Sequence, residues 1–177
     1  MLNACGKTGN AWIGISVAMG SRGWVVREAE RILAEYRASV ARAMEFAMRR
    51  DVREEMRHIF VLRGGTEIDP RQISSIASIL SSSNLLPQDK PLIALAQEGG
   101  LVKVSARASS QLVELGLDLG EVMRVAAERV GGRGGGHKMA AGAEFPADRT
   151  TLFLVEVDAL VGEVMAKARA GKQLRLV

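Results

Sequence analysis

The chain has one cysteine, two histidines, four prolines and only 4% aromatic residues in 177. Each scarcity excludes something. A lone cysteine, Cys5, cannot form an internal disulfide, which points to a reducing compartment and a cytoplasmic location. One cysteine and two histidines leave no zinc ligand cluster. So few rings exclude a platform of stacked aromatics for reading bases. The uncharged run from Thr8 to Ser21 is shorter than the ~18 apolar residues a membrane span needs, and glycines dilute it. It loosely imitates a secretion signal, but a buried helix fits it at least as well. The six aspartates are scattered, and Asp69, Asp118 and Asp148 read as helix caps. No Asp and His cluster is left to hold divalent metals, so the chain alone is not expected to hydrolyse a phosphodiester through metal-activated water.

Apolar residues make up 47% and charged residues 25%, the range of a globular protein that buries roughly 70% of its extended surface. The net charge is +4, with 18 arginines against six lysines. This mild basicity is compatible with a phosphate-bearing partner.

No proline or glycine occurs from Trp24 to Arg57. Val25, Ala29, Ile32, Tyr36, Val40, Ala43 and Ala47 recur at spacings of three and four, which predicts one long amphipathic helix. Beyond it the pattern alternates. His58 to Leu62 reads as a strand, with His58 in a structural role at its start. Asp69-Pro70-Arg71-Gln72 reads as a helix start, with Ser81-Ser82-Ser83-Asn84 as its stop. Pro91 to Gln97 and Leu101 to Arg107 form a hairpin around Glu98-Gly99-Gly100. Along its second strand Val102, Val104 and Ala106 share one face, and Lys103, Ser105 and Arg107 the other. Asp118 to Glu121 opens a helix running to Val130, Ala140 to Phe145 is a strand, and Asp148 caps a last helix. The expected fold is α/β: a mixed β-sheet flanked by helices, preceded by a long N-terminal linker helix.

The densest local signal is Gly131-Gly132-Arg133-Gly134-Gly135-Gly136-His137-Lys138, read as a loop between a helix and a strand. Five glycines admit close backbone approach, successive N–H groups can cradle an anion, and Arg133, His137 and Lys138 add donors. No acid occurs from Arg129 to Ala143. Lys103 and Arg107 supply a second wall if their strand neighbours Ala140 to Phe145. Gly6-Lys7-Thr8 is not a Walker A loop, since the glycine it needs would fall on Met1.

The segment Gly134-Gly135-Gly136-His137-Lys138-Met139-Ala140-Ala141-Gly142 resembles the G-G-G-H-x-x-A-A-G signature of the DHH-associated domain of DHH phosphoesterases, of the RecJ-like exonuclease type. Ser105-Ala106-Arg107-Ala108-Ser109 is similar to that domain's S-x-R-S segment, and Leu117 to Glu121 to its following helix start. Leu2 to Ala11 resembles the segment closing the catalytic DHH domain, with Lys7 for arginine and Asn10 for aspartate as departures. The resemblance implies three parts: 1–22 as the end of a catalytic domain, 23–57 as a linker helix, and 58–170 as the substrate-binding domain. It implies phosphate or nucleic-acid contacts from Ser105, Arg107, Gly134, Gly135, Gly136 and His137, to which the donors of the glycine loop add Arg133 and Lys138. No catalytic residue, metal or cofactor is assigned to this chain, since Mn²⁺ or Mg²⁺ belongs to the catalytic domain. Single-stranded DNA or RNA is the expected partner. A DHH catalytic domain and, as in archaeal members, a GINS-type replication protein are further candidates. Short oligoribonucleotides or cyclic dinucleotides are alternative ligands, as is tRNA by likeness to the C-terminal domain of alanyl-tRNA synthetase. The apolar residues of the N-terminal segment, Trp12, Ile13, Ile15, Val17, Met19 and Trp24, are expected to be buried in a homodimer.

Overall fold

The computed structural model describes residues 1–83 and 85–173. The chain divides into two compact units, 1–46 and 47–177.

The first unit is helical. Two short helices, α1 (Leu2–Lys7) and α2 (Ala11–Ala18), precede the long α3 (Trp24–Ala47). Cys5, Ile13, Val25, Ala29 and Ile32 are buried together, with Val17 packed against them. The first part of the apolar stripe, Val25, Ala29 and Ile32, thus has its partner in the N-terminal segment, and Ile13 and Val17 are covered within the chain rather than by a homodimer as expected. Trp12, Ile15, Met19 and Trp24 remain exposed.

The predicted helix to Arg57 stops ten residues early, at Ala47. A tight turn at Arg50–Val52 leads into β1 (Arg53–Glu55), which pairs antiparallel with β2 (Phe60–Arg63). Nothing local forbids helix there, and the ladder to β2 overrides propensity.

The second unit contains a six-stranded sheet in the order β1-β2-β3-β4-β6-β5. After β2 come α4 (Ile73–Ser82), β3 (Leu92–Glu98), β4 (Leu101–Arg107), α5 (Ser110–Glu114), α6 (Leu119–Arg129), β5 (Arg133–Gly136), β6 (Ala140–Pro146) and α7 (Thr150–Gln173). Only β2 and β3 pair in parallel, joined through α4, so the sheet is mixed as expected. The β3–β4 hairpin turns through Gly99 and Gly100, both with positive φ, as a two-residue primed turn requires. Of the expected caps, Asp118 is one, its Oδ1 accepting from the Glu121 N–H at 3.2 Å. Asp69 instead accepts from the Arg71 N–H in a turn before α4, and the Arg71 guanidinium holds its carboxyl below the usual range. Asp148 lies in a tight turn ahead of α7. Asn84 lies outside the described residues, and α4 ends at Ser82.

One sheet face carries Ile59, Val61, Ile93, Leu95, Val102, Val104, Ala106, Ala141, Ala143 and Phe145. They are buried against α5, α6 and α7, with Phe145 stacked on Phe153 at 4.2 Å. His58 starts this wall: its N–H donates to Asp158 and its ring lies where a side chain at Gly162 would sit. On the opposite face α4 packs over β3 and part of β4, and Leu62 of β2 is buried as well. The rest of β4 with β6 and β5 is open on this side.

Candidate phosphate-binding trough

Strand register decides what the open face carries. On β4 it holds Lys103, Ser105 and Arg107. Directly opposite on β6 stand Glu144, Gly142 and Ala140, and beyond them on β5 are Arg133 and Gly135. Two adjoining shallow hollows of about 330 and 340 Å³ lie here, sharing Lys103, Val104 and Gly142. Together they form a trough whose floor is glycine backbone. Its end wall is the first turn of α4, through Ile73 and Ser74. No aromatic side chain lines it.

The glycine run is therefore a strand, not the expected loop, and its glycines serve two faces. Gly135 faces open space with a φ of +154°, so the floor is bare and its backbone needs glycine. Gly134 faces inward, where a Cβ would collide with the Met123 carbonyl of α6. Gly120 of α6 lies as closely over the Gly136 carbonyl. Close helix–strand packing and an uncluttered ligand face both demand the absence of side chains.

Arg107 is the strongest single feature. Burial pushes its guanidinium below its ordinary value, though it stays charged. Its partners are all neutral: Ser105 Oγ at 2.9 Å, the Ala106 carbonyl at 2.8 Å, Ser78 Oγ at 3.1 and 3.2 Å, and the Ser74 carbonyl at 3.3 Å. Ser105 is only 4% exposed. Arg133, by contrast, is largely exposed and donates to Glu144 at 2.8 Å across the β5–β6 pair. Lys103 lines both hollows, and its charge helps hold the Asp69 carboxyl low, after the larger effect of Arg71. The alternation along β4 marks Lys103 in the sequence, whereas the residues of α4 carry no local signal.

His137 and Lys138 are exposed in the β5–β6 turn, where His137 and Ala140 exchange backbone hydrogen bonds at 2.8 and 3.2 Å. His137 therefore stands beside the trough's end, opposite Ala140, and neither turn residue lines the hollows. The Lys138 carbonyl accepts from the Leu119 N–H and the Met139 carbonyl from the Ala108 N–H, which pins the turn to α6 and the end of β4.

The profile of the DHHA1 domain matches residues 57–163, three-fifths of the chain. The chain belongs to the DHHA1 family. An uncharacterized protein of Methanocaldococcus jannaschii, MJ0831, is 33% identical over 167 residues, covering 94% of this chain and 35% of the relative. The DHHA1 chain thus spans about a third of that relative's length. Its fold is similar to RecJ of Thermus thermophilus in complex with Mn²⁺, with a TM-score of 0.68 at 23% identity over 92% of this chain and 23% of that one. An exonuclease RecJ bound to manganese gives 0.67 and 23%, covering 91% and 38%.

The described residues of this DHHA1 chain do not suit such an ion. Among the described residues no three His, Cys, Asp or Glu side chains converge to hold a metal. Asp69, Asp118 and Asp158 each spend an oxygen on a backbone N–H. No described helix is long and apolar enough to cross a membrane.

Proposed function

We propose that the trough binds the sugar–phosphate backbone of single-stranded nucleic acid, without reading bases. The observation that carries this is Arg107, a half-buried cation with no carboxylate partner among the described residues, beside a glycine floor. An uncompensated charge is costly to bury, and an incoming phosphate supplies the missing counter-ion. The trough extends about 13 Å along β4 from Lys103 to Arg107 and about 10 Å across three strands, ample for more than a single phosphate. The missing aromatics remove base stacking, so affinity must come from the backbone. Cleavage, in a complete enzyme, falls to a DHH catalytic domain carrying Mn²⁺ or Mg²⁺.

The test is titration of a fluorescent oligothymidylate at several salt concentrations. Loss of the Arg107 contact in Arg107→Ala should weaken binding and reduce the slope of log K against log salt by about 0.7. An unchanged affinity and slope would remove Arg107 from the site. Cyclic dinucleotide as competitor separates a strand binder from a small-nucleotide binder: it should displace the oligonucleotide poorly.

A second function is favoured by one observation in the first unit. Trp12 and Trp24, 56% and 59% exposed, lie with ring centroids 6.1 Å apart, and Ile15 and Met19 of the same unit are exposed too. Such an apolar patch is a protein-docking surface, and a second copy of this chain is its proposed occupant, ahead of a GINS-type protein. Light scattering at ~100 µM, well above a micromolar dissociation constant, should give a dimer. A monomer there would overturn it.

A further inference from the structure

We infer that Ser78 of α4 is the positioning residue that aims Arg107 into the trough, and that it does so without neutralising it. The inference rests on the trough being a phosphate site. Arg107 leaves β4 and crosses to α4, where its Nε and Nη2 both donate to Ser78 Oγ, at 3.2 and 3.1 Å. Ser78 in turn donates its own proton to the Ser74 carbonyl at 2.8 Å, and that carbonyl also accepts from Arg107 Nη2 at 3.3 Å. The result is a closed ring of hydrogen bonds joining the helix to the strand. With Ser105 Oγ and the Ala106 carbonyl on Nη1, all five guanidinium N–H groups have acceptors, so a ligand phosphate meets Arg107 through its charge and not through a spare N–H.

The neighbouring serines lack the second of these bonds. Ser81, Ser82 and Ser83 direct their hydroxyls back to the carbonyls of Ser78, Ile79 and Leu80, as Ser78 does to that of Ser74. Ser78 Oγ also accepts from Arg107, and it lies on the exposed side of the helix, outside the apolar core. Its hydroxyl therefore holds a long side chain in place rather than packing a core.

The choice of a hydroxyl matters chemically. An arginine side chain loses much rotamer freedom when it is fixed, so presenting it at one place needs a holder. A carboxylate would hold it more strongly, and Glu144 does this for Arg133. But a carboxylate also supplies the counter-ion that a ligand phosphate would otherwise provide. Neutral acceptors fix the geometry and leave the charge available.

The experiment uses the full chain with Ser78→Ala, Ser78→Thr, Ser78→Asp and Arg107→Ala, the same oligothymidylate probe, and thermal unfolding of each variant. Ser78→Ala should weaken binding about ten-fold, the lower end of the worth of a hydrogen bond to a charged group. Ser78→Thr, which keeps the hydroxyl, should restore it. Ser78→Asp should weaken binding further and lower the salt slope by about 0.7, as Arg107→Ala does, because the carboxylate cancels one cation. Ser78→Ala placed in the Arg107→Ala background should add nothing. If Arg107→Ala weakens binding while Ser78→Ala and Ser78→Asp bind like the unaltered chain, the positioning role is overturned and the trough stands. If Ser78→Ala lowers binding and unfolding temperature together and threonine restores neither, the role is structural and the inference is likewise overturned. If Arg107→Ala itself changes nothing, the phosphate site falls, and Ser78 with it.

Discussion

Arg107 and Arg133 share one sheet face, yet their charges are not equally available. Glu144, on β6 between the two arginine-bearing strands, holds Arg133 in an exposed ion pair. Such a pair contributes little stability, about 0–1 kcal/mol, so removing it should be felt in binding and not in folding. Glu144→Gln releases Arg133 and deletes a negative charge from the trough. Oligonucleotide affinity should rise, with a salt slope steeper by up to about 0.7, and an unaltered slope would mean that Arg133 never contacts the ligand. At this scale the sequence was partly legible. The period-two alternation by itself places Lys103, Ser105 and Arg107 on one face. The restraint on Arg133 and the role of Ser78 were not, because each partner lies across a strand or helix contact that no local spacing encodes.

Among the elements, β5 departs furthest from expectation. Glycine has poor strand propensity, and five glycines within 131–136 read naturally as a loop, yet three of them, Gly134 to Gly136, lie in β5. What makes it a strand is pairing with β6, while α6 presses on the other side at a distance only glycine permits. Gly134→Ala should therefore destabilise the fold by about 1–3 kcal/mol, the cost of forcing a methyl group into a filled site. Thermal unfolding of that variant measures it, and an unchanged midpoint would show that α6 has room to move away. The end of α3 and the start of α4 differ from expectation for a related reason. Helix signals mark where a helix is permitted, whereas pairing to β2 and the Asp69 turn determined where these two stop and start. The β3–β4 hairpin and the Asp118 cap were readable because their determinants lie within a few residues.

For the whole molecule, the α/β class followed from alternating strand and helix patterns, but the sheet order did not, since it depends on pairings between distant segments. Every residue of the trough belongs to the second unit. A fragment starting at Ala47 should thus unfold cooperatively and keep the Arg107-dependent oligonucleotide binding, whatever happens to self-association. Circular dichroism melting and the same titration check this. A fragment that folds but no longer binds would mean that the first unit contributes to the ligand site. The strand order also has a consequence for biosynthesis. β6 fills the gap between β4 and β5 although it is the last of the three to be made. Lys103, Arg107 and Arg133 all leave the ribosome before it. A nascent chain therefore owns every cation of the trough while the trough itself does not exist, and one late pairing step, the insertion of 140–146, brings them onto a common surface.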